Sequence, residues 1–74
     1  MTIKTYTKSE IREKAFTNIK CLVVLYNAHA FMDKMITTMN RTLDKLTIGH
    51  MWFSEDETKE ILAQIDYEIR DVLD

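Results

Sequence analysis

Proline is absent from this chain, and glycine occurs once, at Gly49. From Thr7 to Leu46 the sequence therefore runs without either of the two strongest helix breakers. Cysteine is equally scarce. Cys21 stands alone, which excludes a disulfide within the chain and fits a reducing compartment. The longest wholly apolar run, Cys21 to Tyr26, is far too short to cross a bilayer, and the N-terminus lacks the apolar segment and cleavage site of a signal peptide. These absences lead to the expectation of a soluble, cytoplasmic protein with no membrane partner. Serine appears only at Ser9 and Ser54, both in cap regions, and one glycine builds no phosphate-cradling loop. No set of nucleophile, base and orienting group can be assembled, so neither enzymatic activity nor a catalytic residue is expected.

What is present is helical periodicity. With Ala15 at heptad position a, the a positions are Ala15, Leu22, His29, Ile36 and Leu43, and the d positions are Ile11, Asn18, Leu25, Met32, Met39 and Leu46. All but Asn18 and His29 are apolar, which is the pattern of a packed seam. The f positions Glu13, Lys20, Asn27, Lys34 and Arg41 are polar, as a solvent stripe should be. The missing breakers favour one helix over residues 7–46, about 60 Å long. A break near Asn27 or Asp33, both tolerable N-caps, would divide it into two helices of ordinary length.

The helix starts are marked locally. Thr7-Lys8-Ser9-Glu10 fits a capping box, with Tyr6 and Ile11 placed to form a hydrophobic staple. Ser54-Glu55-Asp56-Glu57 is a second box, with three acids where the helix dipole favours them. Gly49 suits a left-handed stop after Leu46. The expected organisation is a single all-α domain: an extended arm over 1–6, helix over 7–46, a connection over 47–53, and a shorter antiparallel helix over 54–73. Within that last helix Thr58, Ile61, Leu62, Ile65, Ile69, Val72 and Leu73 form the apolar stripe, while Glu60, Gln64, Glu68 and Asp71 face away.

A chain of 74 residues makes a small core, and such chains often lean on oligomerisation. Between Leu22 and Met32 the apolar character spreads beyond the seam, so a homodimer packed through Leu22, Leu25, His29, Met32 and Ile36 is expected to complete the bundle. His29 is read as a buried core or interface histidine, and Cys21 as a buried, inert thiol.

Net charge is −2, but its distribution is uneven. Residues 1–53 carry eight Lys/Arg against four acids, a balance of +4; residues 54–74 carry two against eight, a balance of −6. The acidic helix is expected to lie against the basic part of the chain, within one copy or across a dimer, or to offer an acidic face to a basic partner.

Three consecutive bulky residues, Met51, Trp52 and Phe53, cannot all point into one core. Phe53 is placed to pack beneath the Ser54 cap. Met51 and Trp52 are then candidates for a protein-docking site, with Glu60, Gln64, Glu68 and Asp71 as its polar rim. The competing reading has Trp52 plugging the end of the bundle.

Two further chemistries are weighed. His29 and Asp33 share a helical face, but the seam carries no inward carboxylates for a metal bundle, so no metal or other cofactor is expected and a metal-binding helical bundle stands as the second alternative. Met32, Met35, Met39 and Met51 read as adaptable packing. Basic residues are spread along the long helix without clustering on one face, which leaves nucleic-acid binding as the alternative. The favoured function is a small non-enzymatic regulator or inhibitor that binds another protein, one with a basic or apolar docking surface, in fixed stoichiometry. Short helical chains without catalytic residues are a common design among antitoxins, adaptors and phage or plasmid inhibitors. That is an analogy of class, not a family resemblance.

Overall fold

Both capping boxes form, and they set where two helices begin. In the computed structural model, which describes residues 4–74, helix α1 spans Lys8–Leu25 and helix α3 spans Glu55–Leu73. Residues 1–3 of the expected arm lie outside the described residues. At α1 the Glu10 N–H donates to Thr7 Oγ1 at 3.2 Å, and the Thr7 N–H donates to Glu10 Oε1 at 3.1 Å. At α3 the Glu57 N–H donates to Ser54 Oγ at 3.1 Å, and the Ser54 N–H donates to Glu57 Oε1 at 3.0 Å. Each pair satisfies two backbone donors that a helix start leaves free.

The residues just before the caps meet each other. Strands β1 (Thr5–Tyr6) and β2 (Phe53–Ser54) pair antiparallel, with Thr5 opposite Ser54 and Tyr6 opposite Phe53. The clasp brings both helix starts to one end of the molecule, so α1 and α3 run parallel. Helix α2 (Met32–Leu46) runs back against both. The fold is all-α, three helices closed by a two-strand clasp.

The expected single helix over 7–46 does not form. α1 ends at Leu25 with Tyr26 as its C-cap, and Asn27 takes a left-handed φ of 51°. The Ala28 N–H donates to the Val23 carbonyl at 2.9 Å, and the Asn27 N–H donates to the Val24 carbonyl at 3.4 Å. These are the two bonds of a Schellman stop. Val23 and Ala28, the apolar pair that such a stop brings together, are both buried. Asn27 was expected, if anything, to start a helix; it terminates one, because asparagine tolerates the left-handed region better than other side chains with a Cβ. A 3₁₀ turn over His29–Phe31 then leads into α2. Asn27→Gly should therefore change stability by only a few tenths of a kcal/mol, while β-branched Asn27→Val should cost about 1–2 kcal/mol. Urea denaturation of the two variants checks this; equal stability would contradict the left-handed stop.

Breaking the helix also shifts its seam. α1 buries Ile11, Ala15, Ile19, Leu22 and Val23; α2 buries Met35, Met39 and Leu43. Ile19, Val23 and Met35 lie off the heptad positions. Of the heptad residues, Asn18, Leu25, His29 and Leu46 are exposed. A strict heptad suits two helices coiling over a long contact; here each helix keeps its own stripe across a short bundle. α3 buries Thr58, Ile61, Ile65 and Ile69, with Leu62, Val72 and Leu73 half-buried against the same core. At 19 residues it is the longest of the three helices rather than a shorter appendage.

α2 ends at Leu46 and is capped by Thr47, whose hydroxyl donates to the Leu43 carbonyl at 2.7 Å. A turn follows, with the His50 N–H donating to the Thr47 carbonyl at 3.3 Å and Gly49 at φ 81°. Gly49 thus lies just beyond the helix, in the left-handed region a β-carbon would disfavour. No helix is long and apolar enough to cross a membrane among the described residues.

Candidate functional site

The connection between α2 and α3 leaves three large apolar side chains in solvent. Met51 is 79% exposed, Ile48 75% and Trp52 61%, so the plug reading of Trp52 does not hold. Phe53, the next residue, is 2% exposed and sits in the core with Tyr6. The split follows from strand geometry: successive side chains in extended backbone point to opposite faces, and the clasp commits Phe53 to the inner one. The loop is held at both ends, by the Thr47–His50 turn and by the β2 clasp. His50 stands beside Phe53, ring centroids 6.2 Å apart and tilted by 59°. Trp52 and its neighbours are therefore presented from an anchored backbone.

From this loop a groove opens between α2 and α3, with a volume of about 720 Å³. Leu46, Phe53 and Ile61 contribute its apolar lining. Arg41, Lys45 and His50 stand on one side, and Glu57, Glu60, Gln64 and Glu68 on the other. A shallower hollow continues it towards the far end, sharing Thr38, Arg41 and Glu68 and adding Lys34, Phe31 and Asp71. The Gln64 amide donates to Glu68 Oε1 at 3.1 Å and fixes that carboxylate. Of the residues picked from sequence, Glu60, Gln64 and Glu68 thus line the groove and Asp71 the hollow beyond it, while Met51 and Trp52 belong to the connecting loop.

The charge imbalance resolves into two facing walls. The cations of α2 look across at the acids of α3, yet the ion pairs among the described residues lie elsewhere. Lys8 Nζ meets Asp44 Oδ1 at 2.6 Å, tying α1 to α2; Lys59–Glu55 and Arg70–Asp66 are local to α3. A phosphate backbone laid along this groove would meet both signs at once, whereas a nucleic-acid footprint needs one.

The residues expected at a dimer seam separate. Leu22 is buried in the chain's own core, and Met32 and Ile36 are half-buried against it. Leu25 and His29 are exposed, as is Cys21. The core reading of His29 and the buried reading of Cys21 are therefore corrected. The Asn27 stop turns the chain before His29 reaches the seam position, and a stripe through Ile19, Leu22 and Val23 leaves Cys21 on the outer flank. The same break leaves a second apolar outcrop of Val24, Leu25, Tyr26 and Phe31, within the stretch whose apolar character spreads beyond the seam. Among the described residues no three His, Cys, Asp or Glu side chains gather into a group that would hold a metal ion.

Two carboxyls are held below their usual range. Hydrogen bonds from the Ser54 backbone and hydroxyl lower Glu57 from 4.5, and the Lys8 ammonium, by hydrogen bond and attraction, lowers Asp44 from 3.8. Both folded values lie below the unfolded ones, so the stability they contribute is present above the unfolded values. It is lost as pH falls through the folded ones. The double variant Glu57→Gln/Asp44→Asn should flatten the fall in melting temperature below the unfolded range. Wild type and variant melting in parallel from neutral pH into acid would contradict that assignment.

Comparison with known protein families, curated proteins and solved structures finds no match to this chain.

Proposed function

We propose that this chain is a small non-enzymatic regulator of the inhibitor type. It acts as a homodimer in the reducing cytoplasm and binds another protein in fixed stoichiometry. The observation that carries this reading is the loop with Ile48, Met51 and Trp52 exposed on a backbone anchored at both ends. Exposed aromatic and Met side chains are typical interface anchors, and a pre-set backbone lowers the ordering cost of binding. The acids of the first turn of α3, Glu55, Asp56 and Glu57, adjoin the loop and supply a polar rim suited to a partner with an apolar patch edged by basic residues. The exposed single thiol Cys21 is compatible with a compartment that keeps thiols reduced.

The test begins with the free protein, whose Trp52 emission should be red-shifted and open to quenchers. The immobilised chain is then exposed to lysate of its native host, and the captured protein is titrated against wild type and Trp52→Ala. An affinity loss of about 2 kcal/mol or more is expected at such an anchor. A captured protein that binds Trp52→Ala as tightly as wild type would refute this site. Capture abolished by nuclease, with affinity falling steeply in salt, would instead favour the nucleic-acid alternative.

A further inference from the structure

The two charged walls of the α2–α3 groove run side by side along the molecule. Lys45 and Arg41 line the groove together with Glu57, Glu60 and Glu68, and Lys34 lines the hollow beyond it together with Asp71. No α1 residue lines this face, so it is open along its length. Its cations and acids lie side by side on one surface, and none of the ion pairs among the described residues joins them. Such a surface presents complementary charge to a copy of itself.

A second copy can be laid on this face about a two-fold axis running along the groove or across it. The axis across the groove sets α2 over α2 and α3 over α3, opposing like charges, which is costly at a close interface. The axis along the groove sets α2 of one copy over α3 of the other and preserves height. Lys45 then meets Glu60 of the partner subunit, Arg41 meets Glu68 of the partner subunit, and Lys34 meets Asp71 of the partner subunit. Each contact occurs twice, as an isologous interface requires. We propose that the chain forms a homodimer through its α2–α3 face about a two-fold axis along the groove, an antiparallel four-helix layer with α1 of each copy outside. Charge decides between the two symmetries, and Leu46 adds an apolar contact at the loop end of the face. The same axis brings both Trp52 loops to one end of the dimer, where they form a paired docking surface. This inference rests on the self-association in the proposed function and specifies its face.

Sedimentation equilibrium on the full chain, in a Cys21→Ser background, tests it. Arg41→Glu/Lys45→Glu makes the face uniformly acidic, and Glu60→Lys/Glu68→Lys makes it uniformly basic. Each double variant alone should raise the dimer dissociation constant by about 100-fold or more, and an equimolar mixture should restore a heterodimer. Circular dichroism confirms that each variant is folded. Independently, Met51→Cys in the same background should cross-link efficiently with a short bis-maleimide. The axis across the groove would instead place the loops towards opposite ends of a molecule 42 Å long. A wild-type chain that stays monomeric through the micromolar range overturns both this proposal and the self-association. A dimer that ignores the charge reversals, or that leaves Met51→Cys uncoupled, overturns the face alone and leaves the self-association standing.

Discussion

Phe53→Ala is expected to remove about 3–5 kcal/mol of folding stability, while Trp52→Ala, one residue earlier, stays within about 0.5 kcal/mol. Phe53 is among the largest fully buried side chains of the molecule, and its backbone holds three devices together. It pairs with Tyr6 in the clasp, precedes the Ser54 cap, and closes the inner end of the α2–α3 groove. Truncation loses the transfer energy of the ring and leaves a cavity that a clasp pinned on both strands cannot collapse to fill. Since a domain this small draws only about 3–5 kcal/mol from its core, the variant should be largely unfolded at room temperature. Trp52 makes no such contribution, being mostly in water. Urea denaturation followed by circular dichroism reads both variants. A Trp52→Ala loss as large as that of Phe53→Ala would mean that the loop faces the other way.

The second large effect separates two registers for the first helix. Ile19→Ala should cost about 2–5 kcal/mol, and Leu25→Ala should remain within about 0.5 kcal/mol. By heptad count the order would be reversed, because Leu25 occupies a d position and Ile19 does not. In the folded chain Ile19 is 0% exposed and Leu25 is 73% exposed. The difference arises at Asn27, which ends α1 one turn after the stripe through Ile19, Leu22 and Val23 has met the core. A Leu25→Ala cost comparable to that of Ile19→Ala would restore the continuous helix and its dimer seam.

These contrasts show where sequence reasoning reached and where it stopped. Both helix starts were legible because capping boxes are local: Thr7 with Glu10, and Ser54 with Glu57, each close a loop of three residues whatever the rest of the chain does. The apolar stripe of α3 was legible because its period of 3.6 is uninterrupted and one face is polar throughout. Phe53 as the inward member of the Met51-Trp52-Phe53 run followed from its place beside the cap.

The end of α1 was harder to read, although its signal was present. Asn27, followed by Ala28 and preceded by Val23, is the pattern of a left-handed stop, but asparagine also starts helices and occurs within them. The choice depends on whether Val23 and Ala28 have a core to enter, which is a tertiary fact. Leu22, Met32 and Ile36 were apolar in any register. That they pack against their own chain's core depends on three helices closing together, a long-range packing event that no local period encodes. The facing walls of the α2–α3 groove have the same origin. The sequence by itself determined an all-helical chain, its two capped starts and the segregation of cations from acids, because these depend on neighbours within a turn or on composition. Only the tertiary structure decided that Trp52 lies outside, that His29 and Cys21 are exposed, and that Arg41 and Lys45 look across at Glu60 and Glu68. Those outcomes depend on which helix faces pack together, and burial is a property of the packed bundle rather than of the segment.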